Sequence, residues 1–154
     1  MGTRSTIALE FADGTVQQVY CHWDGYLSNN GQILRDHYSD PFKLQELIDL
    51  GDISSLRPTV GTKHAFSQFE TKMSSEDYDK LYGEMTTFYG RDRGETGVTA
   101  KSFKDYADYI DNHQYEEYEY ILRQVEGKAV WFVKCHSADY VTLAEAFEAE
   151  LETA

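Results

Sequence analysis

Apolar and polar residues alternate from Arg4 to Phe11, with Ile7, Leu9 and Phe11 on one face and Arg4, Thr6, Ala8 and Glu10 on the other. A period of two marks a half-buried strand. Ala12-Asp13-Gly14 then reads as a three-residue hairpin loop, and Val16–Trp23 as the returning strand. Such a loop pairs Phe11 with Thr15, which sets Ile7 against Val19, Ser5 against Cys21 and Thr3 against Trp23. The register predicts one buried face built from Ile7, Leu9, Phe11, Val19, Cys21 and Trp23. On the opposite face it sets Thr6 against Tyr20 and Arg4 against His22. Tyr118–Val125 and Ala129–Cys135 predict a second hairpin around Glu126-Gly127-Lys128.

Between the hairpins the pattern turns helical. Gln32–Tyr38 is a short helix, after an Asp24–Gly31 loop rich in turn residues. Ser39 or Asp40 caps the next helix, with Pro41 in its first turn, Leu44, Leu47 and Ile48 on one face, and Gly51 at its end. Ser74 with Asp77 opens a helix through Tyr82. Thr142 with Glu145 opens the last one, whose stripe is Leu143, Phe147 and Leu151. Met85–Tyr89 reads as a strand, Gly90–Gly97 as a charged glycine-rich loop and Val98–Phe103 as extended, with Ser102 capping a helix over Phe103–Asp111. Asp52–Phe69 gives mixed signals and reads as irregular. No repeat or linker divides the chain, so residues 1–154 form one expected domain. Its class is α+β: a mainly antiparallel sheet built from hairpins, packed by two to four helices.

Composition narrows the setting. A chain of 154 residues buries enough surface to fold without staples. Its two cysteines, Cys21 and Cys135, form no C-x-x-C and are expected as buried free thiols in a reducing cytoplasm. No basic-then-apolar leader is visible, and no apolar run approaches the ~18 residues of a membrane span, so no membrane partner is expected. The net charge is −13. Residues 67–154 carry nine Lys/Arg against nineteen Asp/Glu, which places −10 of it there. Such a field argues against direct nucleic-acid binding.

Three segments carry candidate chemistry. Tyr20-Cys21-His22-Trp23-Asp24-Gly25-Tyr26 ends a strand and enters a loop. Trp23 and Tyr26 there suit stacking on a ring, while His22 and Arg4 suit an anion. Cys21 and His22 are not a nucleophile–base pair, because adjacent strand residues point to opposite faces. Tyr89-Gly90-Arg91-Asp92-Arg93-Gly94-Glu95 sets Arg91 and Arg93 as planar forks beside glycines that admit a ligand to the backbone; the alternative is a loop that pairs with its own Asp92 and Glu95. It lacks the lysine and hydroxyl of a P-loop. Tyr115-Glu116-Glu117-Tyr118-Glu119-Tyr120 alternates rings and carboxylates, either as a solvated strand face or as an acidic surface for a basic partner. His22, His37, His64, His113 and His136 lack metal-ligand spacing, no G-x-S-x-G occurs, and no cofactor is implied.

Four segments also carry a resemblance: Thr3-Arg4-Ser5-Thr6-Ile7, Asp13-Gly14-Thr15-Val16, the Tyr20–Tyr26 stretch and the Tyr89–Glu95 stretch. Together they span 23 residues and resemble a small uncharacterised protein family of T4-type phages and bacterial chromosomes. The resemblance implies a phage early-region accessory protein, a host-takeover or counter-defence factor made in the host cytoplasm. It implies no activity and no catalytic residue. The resulting expectation is a protein that holds a small anionic, nucleotide-like ligand without turning it over. Arg4, His22, Trp23, Tyr26, Tyr89, Arg91 and Arg93 are its binding residues. One alternative is an acidic inhibitor or DNA mimic that blocks a basic host protein; another is an unrecognised hydrolase acting on a nucleotide. Oligomerisation is left open.

Overall fold

The computed structural model describes residues 3–136 and 139–153. Its first hairpin has the expected register. β1 (Ser5–Glu10) and β2 (Val16–Cys21) run antiparallel, with Ser5 opposite Cys21 and Ile7 opposite Val19. A π-helical turn over Leu27–Gly31 leads into α1 (Gln32–His37). α2 (Pro41–Asp49) starts where the Asp40 carboxylate accepts from the Phe42 N–H at 3.0 Å. It stops at Gly51, whose φ is +85° and where an added Cβ would meet the Val98 carbonyl oxygen at 2.3 Å, so only glycine fits.

β3 (Ile53–Ser55), a 3-10 turn at Gln68–Glu70, α3 (Ser75–Tyr82), β4 (Thr87–Phe88) and α4 (Tyr89–Arg93) follow. After them come β5 (Lys101–Phe103), α5 (Tyr106–Asn112), β6 (Tyr118–Val125), β7 (Lys128–Cys135), β8 (Val141–Thr142) and α6 (Leu143–Thr153). The β6–β7 hairpin closes through Glu126 and Gly127, both at positive φ, between the paired Val125 and Lys128. That is the twist a two-residue hairpin demands.

The fold is α+β. One eight-stranded sheet has the order β4-β3-β2-β1-β6-β7-β8, with β5 on the far edge of β2. Five pairings are antiparallel; β1–β6 and β2–β3 are parallel. Period-two alternation then sorts side chains into two layers. On one face Ile7, Leu9, Val19, Cys21, Tyr120, Leu122, Trp131 and Val133 pack with Leu34 of α1, Leu44, Leu47 and Ile48 of α2, and Leu143 and Ala146 of α6. On the other, Ala8, Val16 and Ile121 pack with Phe103 and with Tyr109 of α5. Nineteen buried side chains make the first cluster and five the second, so the first face is the principal core. Among the described residues no helix is long and apolar enough to cross a membrane.

Several expectations need correction. The described residues include six α-helices, of which α1, α2, α6 and α5 supply the buried side chains that pack on the two faces of the sheet. Asp52–Phe69 is not wholly irregular: its first residues form β3, which lies inside the sheet between β2 and β4. The hairpin register does not carry Trp23 into the core. β2 ends at Cys21, the Trp23 N–H turns to the Ser54 carbonyl at 3.1 Å, Asp24 adopts a φ of +55°, and Trp23 is left 42% exposed. Ser102 is paired with Gln17 in the sheet, so Asp105 caps α5 instead, accepting from the Asp108 N–H at 2.8 Å. Leu151 is 77% exposed, and Ala146 takes its place in the buried stripe of α6. Both cysteines are free thiols; Cys21 is buried and Cys135 half-buried.

Candidate functional site

The strand order brings the two expected binding segments to the same end of the sheet. β3 lies beside the end of β2, with Cys21 opposite Ile53, and β4 lies beside β3. The His22 N–H donates to the Ile53 carbonyl at 3.0 Å and the Tyr89 N–H to the Asp52 carbonyl at 3.2 Å. His22 and Tyr89 therefore flank one short strand, although some 67 residues separate them in sequence. Tyr20 joins them: its hydroxyl meets His22 Nδ1 at 2.7 Å, and burial pushes its phenol up to about 12.

The expected residues divide by role. Arg91 is spent inside the protein. Its Nε and one terminal nitrogen grip the Asp92 carboxylate at 3.0 and 3.2 Å. The remaining donors meet the carbonyls of Thr86, Val60 and Gly61 at 2.9, 3.0 and 3.1 Å. A guanidinium has five N–H groups, so none is left for a ligand. The supposed glycine-rich loop is in fact α4, and Asp92 is its keystone: the carboxylate also accepts from the Phe88 N–H at 2.8 Å and the His64 N–H at 3.2 Å. Arg93 pairs with Glu95 at 2.9 Å and lies over the rings of Phe66 and Tyr89. Asp92 and Glu95 thus neutralise both arginines. Tyr89 is half-buried, and burial raises its phenol above the usual tyrosine range. Arg4 is exposed with no ion pair among the described residues. Trp23 stands edge-on to His22 with ring centroids 4.7 Å apart, and Tyr26, 38% exposed, opens the π-helical turn.

The acidic tract does not form a continuous surface. Tyr118 and Tyr120 point into the principal core, where Tyr120 donates to the Gly25 carbonyl at 2.6 Å. Glu119, on the other face, is buried under α5. Its Oε1 meets His113 Nε2 and accepts from the Tyr140 hydroxyl at 2.9 Å, while His113 Nδ1 meets the Tyr109 carbonyl at 2.6 Å. Of the three carboxylates Glu117 is exposed, Glu116 half-buried and Glu119 buried.

A cleft of about 370 Å³ opens at the β3–β4 end of the sheet. Ser54, Ser55 and Thr87 form its floor, and Phe66, Gln68, Tyr78 and Tyr82 its far wall. Arg57 lines it and was not singled out from the sequence. Its backbone is clamped. The Tyr38 and Thr86 hydroxyls donate to its carbonyl at 2.8 and 3.1 Å, and its N–H donates to Thr86 Oγ1 at 3.0 Å. The residue is half-buried, and among the described residues its guanidinium makes one hydrogen bond, to the Leu56 carbonyl at 3.1 Å, and no ion pair. The wall is held by the Tyr78 hydroxyl, which donates to the Ala65 carbonyl at 2.5 Å, and by Ser75, which donates to Gln68 Oε1 at 2.7 Å. His64 lies behind Thr87, with its ring stacked on Tyr82 at 5.1 Å.

In the sequence Arg57 sat between Leu56 and Pro58 in a stretch without periodicity, so no pattern marked it. Among the described residues no three His, Cys, Asp or Glu side chains gather as a metal site. No protein-family model, no curated protein and no solved structure matches this chain.

Proposed function

We infer that this chain binds a small anionic, nucleotide-like ligand in the cleft beside β3 and β4. The observation that carries the reading is Arg57. In a chain of net charge −13, a half-buried arginine with no carboxylate partner among the described residues lines a cleft that also carries hydroxyls and aromatic rings. A guanidinium is a planar fork matched to phosphate or carboxylate oxygens. The Ser54 and Ser55 hydroxyls supply further donors, and the rings of Phe66, Tyr78 and Tyr82 offer faces for a base. The site thus lies next to the expected pair of segments, with Arg57 in the role first assigned to Arg91 and Arg93. The four segments that resemble proteins of T4-type phages support a setting in which this binding serves a phage accessory role in the host cytoplasm, by sequestering a host signal.

Titration calorimetry of the wild type and Arg57→Gln with inorganic phosphate and the four common nucleoside 5′-monophosphates tests the reading. Loss of a charged hydrogen bond costs ~1.5–3 kcal/mol, so affinity should fall about ten- to a hundredfold. The melting temperature should barely move, since the side chain gives the fold one bond to a carbonyl. Equal affinity in both proteins would sink the assignment.

A further inference from the structure

We propose that Thr87 and His64 form a nucleophile–base pair that hydrolyses a phosphate monoester held in this cleft. The inference rests on the cleft being an anion site and adds a reaction to it. Thr87 Oγ1 lies 3.1 Å from His64 Nε2, and His64 Nδ1 lies 2.7 Å from the Thr62 carbonyl oxygen. A carbonyl only accepts, so Nδ1 carries the proton of the neutral ring. Nε2 is then an acceptor, and the Thr87 hydroxyl must donate to it. This is the arrangement that activates a hydroxyl nucleophile: a base within hydrogen-bond reach, itself oriented by a third group. The Asp92 carboxylate stands 3.8 Å from Nδ1, near enough to stabilise the imidazolium that forms when the ring takes a proton. The base is held still. Its backbone N–H is bound to Asp92, its ring is stacked on Tyr82, and the side chain is 1% exposed.

The direction of the Thr87 hydrogen separates catalysis from simple binding. A hydroxyl that only holds an anion turns its hydrogen toward the anion. Thr87 commits its hydrogen to His64, so the oxygen offers lone pairs to the cleft it lines. Lone pairs repel phosphate oxygens but suit attack on phosphorus.

In the first half-reaction the Thr87 Oγ1–P bond forms and the ester O–P bond breaks. The hydroxyl proton passes to His64 Nε2 and from there to the leaving alcohol. Arg57 meets the charge on the phosphoryl oxygens. In the second half-reaction water attacks the phosphorus and gives a proton to His64. Thr87 leaves, takes that proton back, and inorganic phosphate is released.

The experiment uses the full chain with p-nitrophenyl phosphate and the same nucleoside monophosphates, following released phosphate, and calorimetry with inorganic phosphate in parallel. The wild type should turn over. Thr87→Val should lose at least about 10²-fold in rate, Thr87→Ser should keep most of it, and His64→Gln should fall by ~10²–10⁴-fold, the usual contribution of a positioned base. All three keep Arg57 and should still bind phosphate. Acid quenching during turnover should leave a phosphoryl group on the peptide that contains Thr87. If the wild type binds phosphate but neither releases it from any ester nor carries it on Thr87, the catalytic inference falls while the binding reading stands. If Thr87→Val is folded and still turns over, Thr87 is not the nucleophile and the inference falls. If phosphate and the nucleotides fail to bind at all and no ester is cleaved, both readings fall together.

Discussion

Replacing Arg91 with methionine should unfold the protein more readily without acting through ligand binding. Methionine keeps most of the stem volume and removes all five donors. The Arg91 side chain is 13% exposed and the Asp92 side chain 0%. Without the guanidinium, Asp92 keeps the Phe88 and His64 N–H groups but loses its cation, and the Thr86, Val60 and Gly61 carbonyls lose a shared donor. Removing one partner of a buried ion pair costs ~3–5 kcal/mol. For a chain of this size each kcal/mol is worth ~2–4 °C, so the melting temperature should fall by about 6–20 °C. Urea unfolding followed by fluorescence gives the free energy directly. The cycle Arg91→Met, Asp92→Asn and the double variant then isolates the pair. Because the two side chains share one network, the double variant should cost less than the sum by roughly 0.5–3 kcal/mol. If Arg91→Met stays within ~0.5 kcal/mol of the wild type, as surface substitutions do, Arg91 is not what pins α4 and the 60–64 segment together. The side chain would then be available to a ligand, as the sequence first suggested.

Glu119 and Glu117 should behave in opposite ways. Glu119→Ala strands His113 and Tyr140 in a buried network and should cost ~3–5 kcal/mol in urea unfolding, whereas Glu117→Gln should stay within ~0.5 kcal/mol; equal effects would contradict the burial of Glu119. Asp52 gives a pH test. Burial holds its carboxyl above the usual carboxylate range while Oδ1 accepts from the Tyr20 N–H at 2.9 Å. The folded state therefore binds the proton more tightly than the unfolded one, so stability from this group falls as pH rises from the ordinary carboxylate range through the folded value. Asp52→Asn keeps the acceptor and removes the charge, so it should be the more stable protein at neutral pH, with the gap to wild type closing on acidification; a gap that does not narrow would refute the assignment.

What the sequence made legible was whatever depends on neighbours in the chain. The Ser5–Cys21 register follows from loop length and alternation alone, and the caps of α2, α3 and α6 follow from one hydroxyl or carboxylate placed just before the helix. The parallel pairing of β1 with β6 was not legible, because it joins residues more than a hundred positions apart and both strands carry the same alternation with any partner. β3 was missed because three residues, Ile53-Ser54-Ser55, are too few to show a period. α4 was read as a loop because Gly90 and Gly94 lower helix propensity, yet Asp92 fixes the segment by bonding the Phe88 N–H ahead of it and Arg91 beside it. The site followed the same rule. His22 and Tyr89 meet at one end of the sheet through strand order alone, which no local pattern shows, and the arginine with free donors could be told from the saturated one only once the carbonyls around each were known.

The acidity of the chain and the charge of the cleft answer different questions. At physiological ionic strength charges are screened over ~8 Å, so carboxylates farther than that from the cleft act weakly on a ligand seated there. The charged side chains that line the cleft are Arg57, which has no carboxylate partner among the described residues, and Asp79. Four of the six arginines, Arg35, Arg91, Arg93 and Arg123, are paired with Asp36, Asp92, Glu95 and Glu10. With carboxylates in such excess, the absence of a partner for Arg57 follows from where the fold puts it: Tyr38 and Thr86 clamp its backbone and the cleft lies in front of its side chain. A net charge of −13 therefore bears on partners that meet the whole surface, which it selects to be basic or neutral. A small anion that reaches the cleft meets an arginine whose donors the protein has left almost entirely unspent.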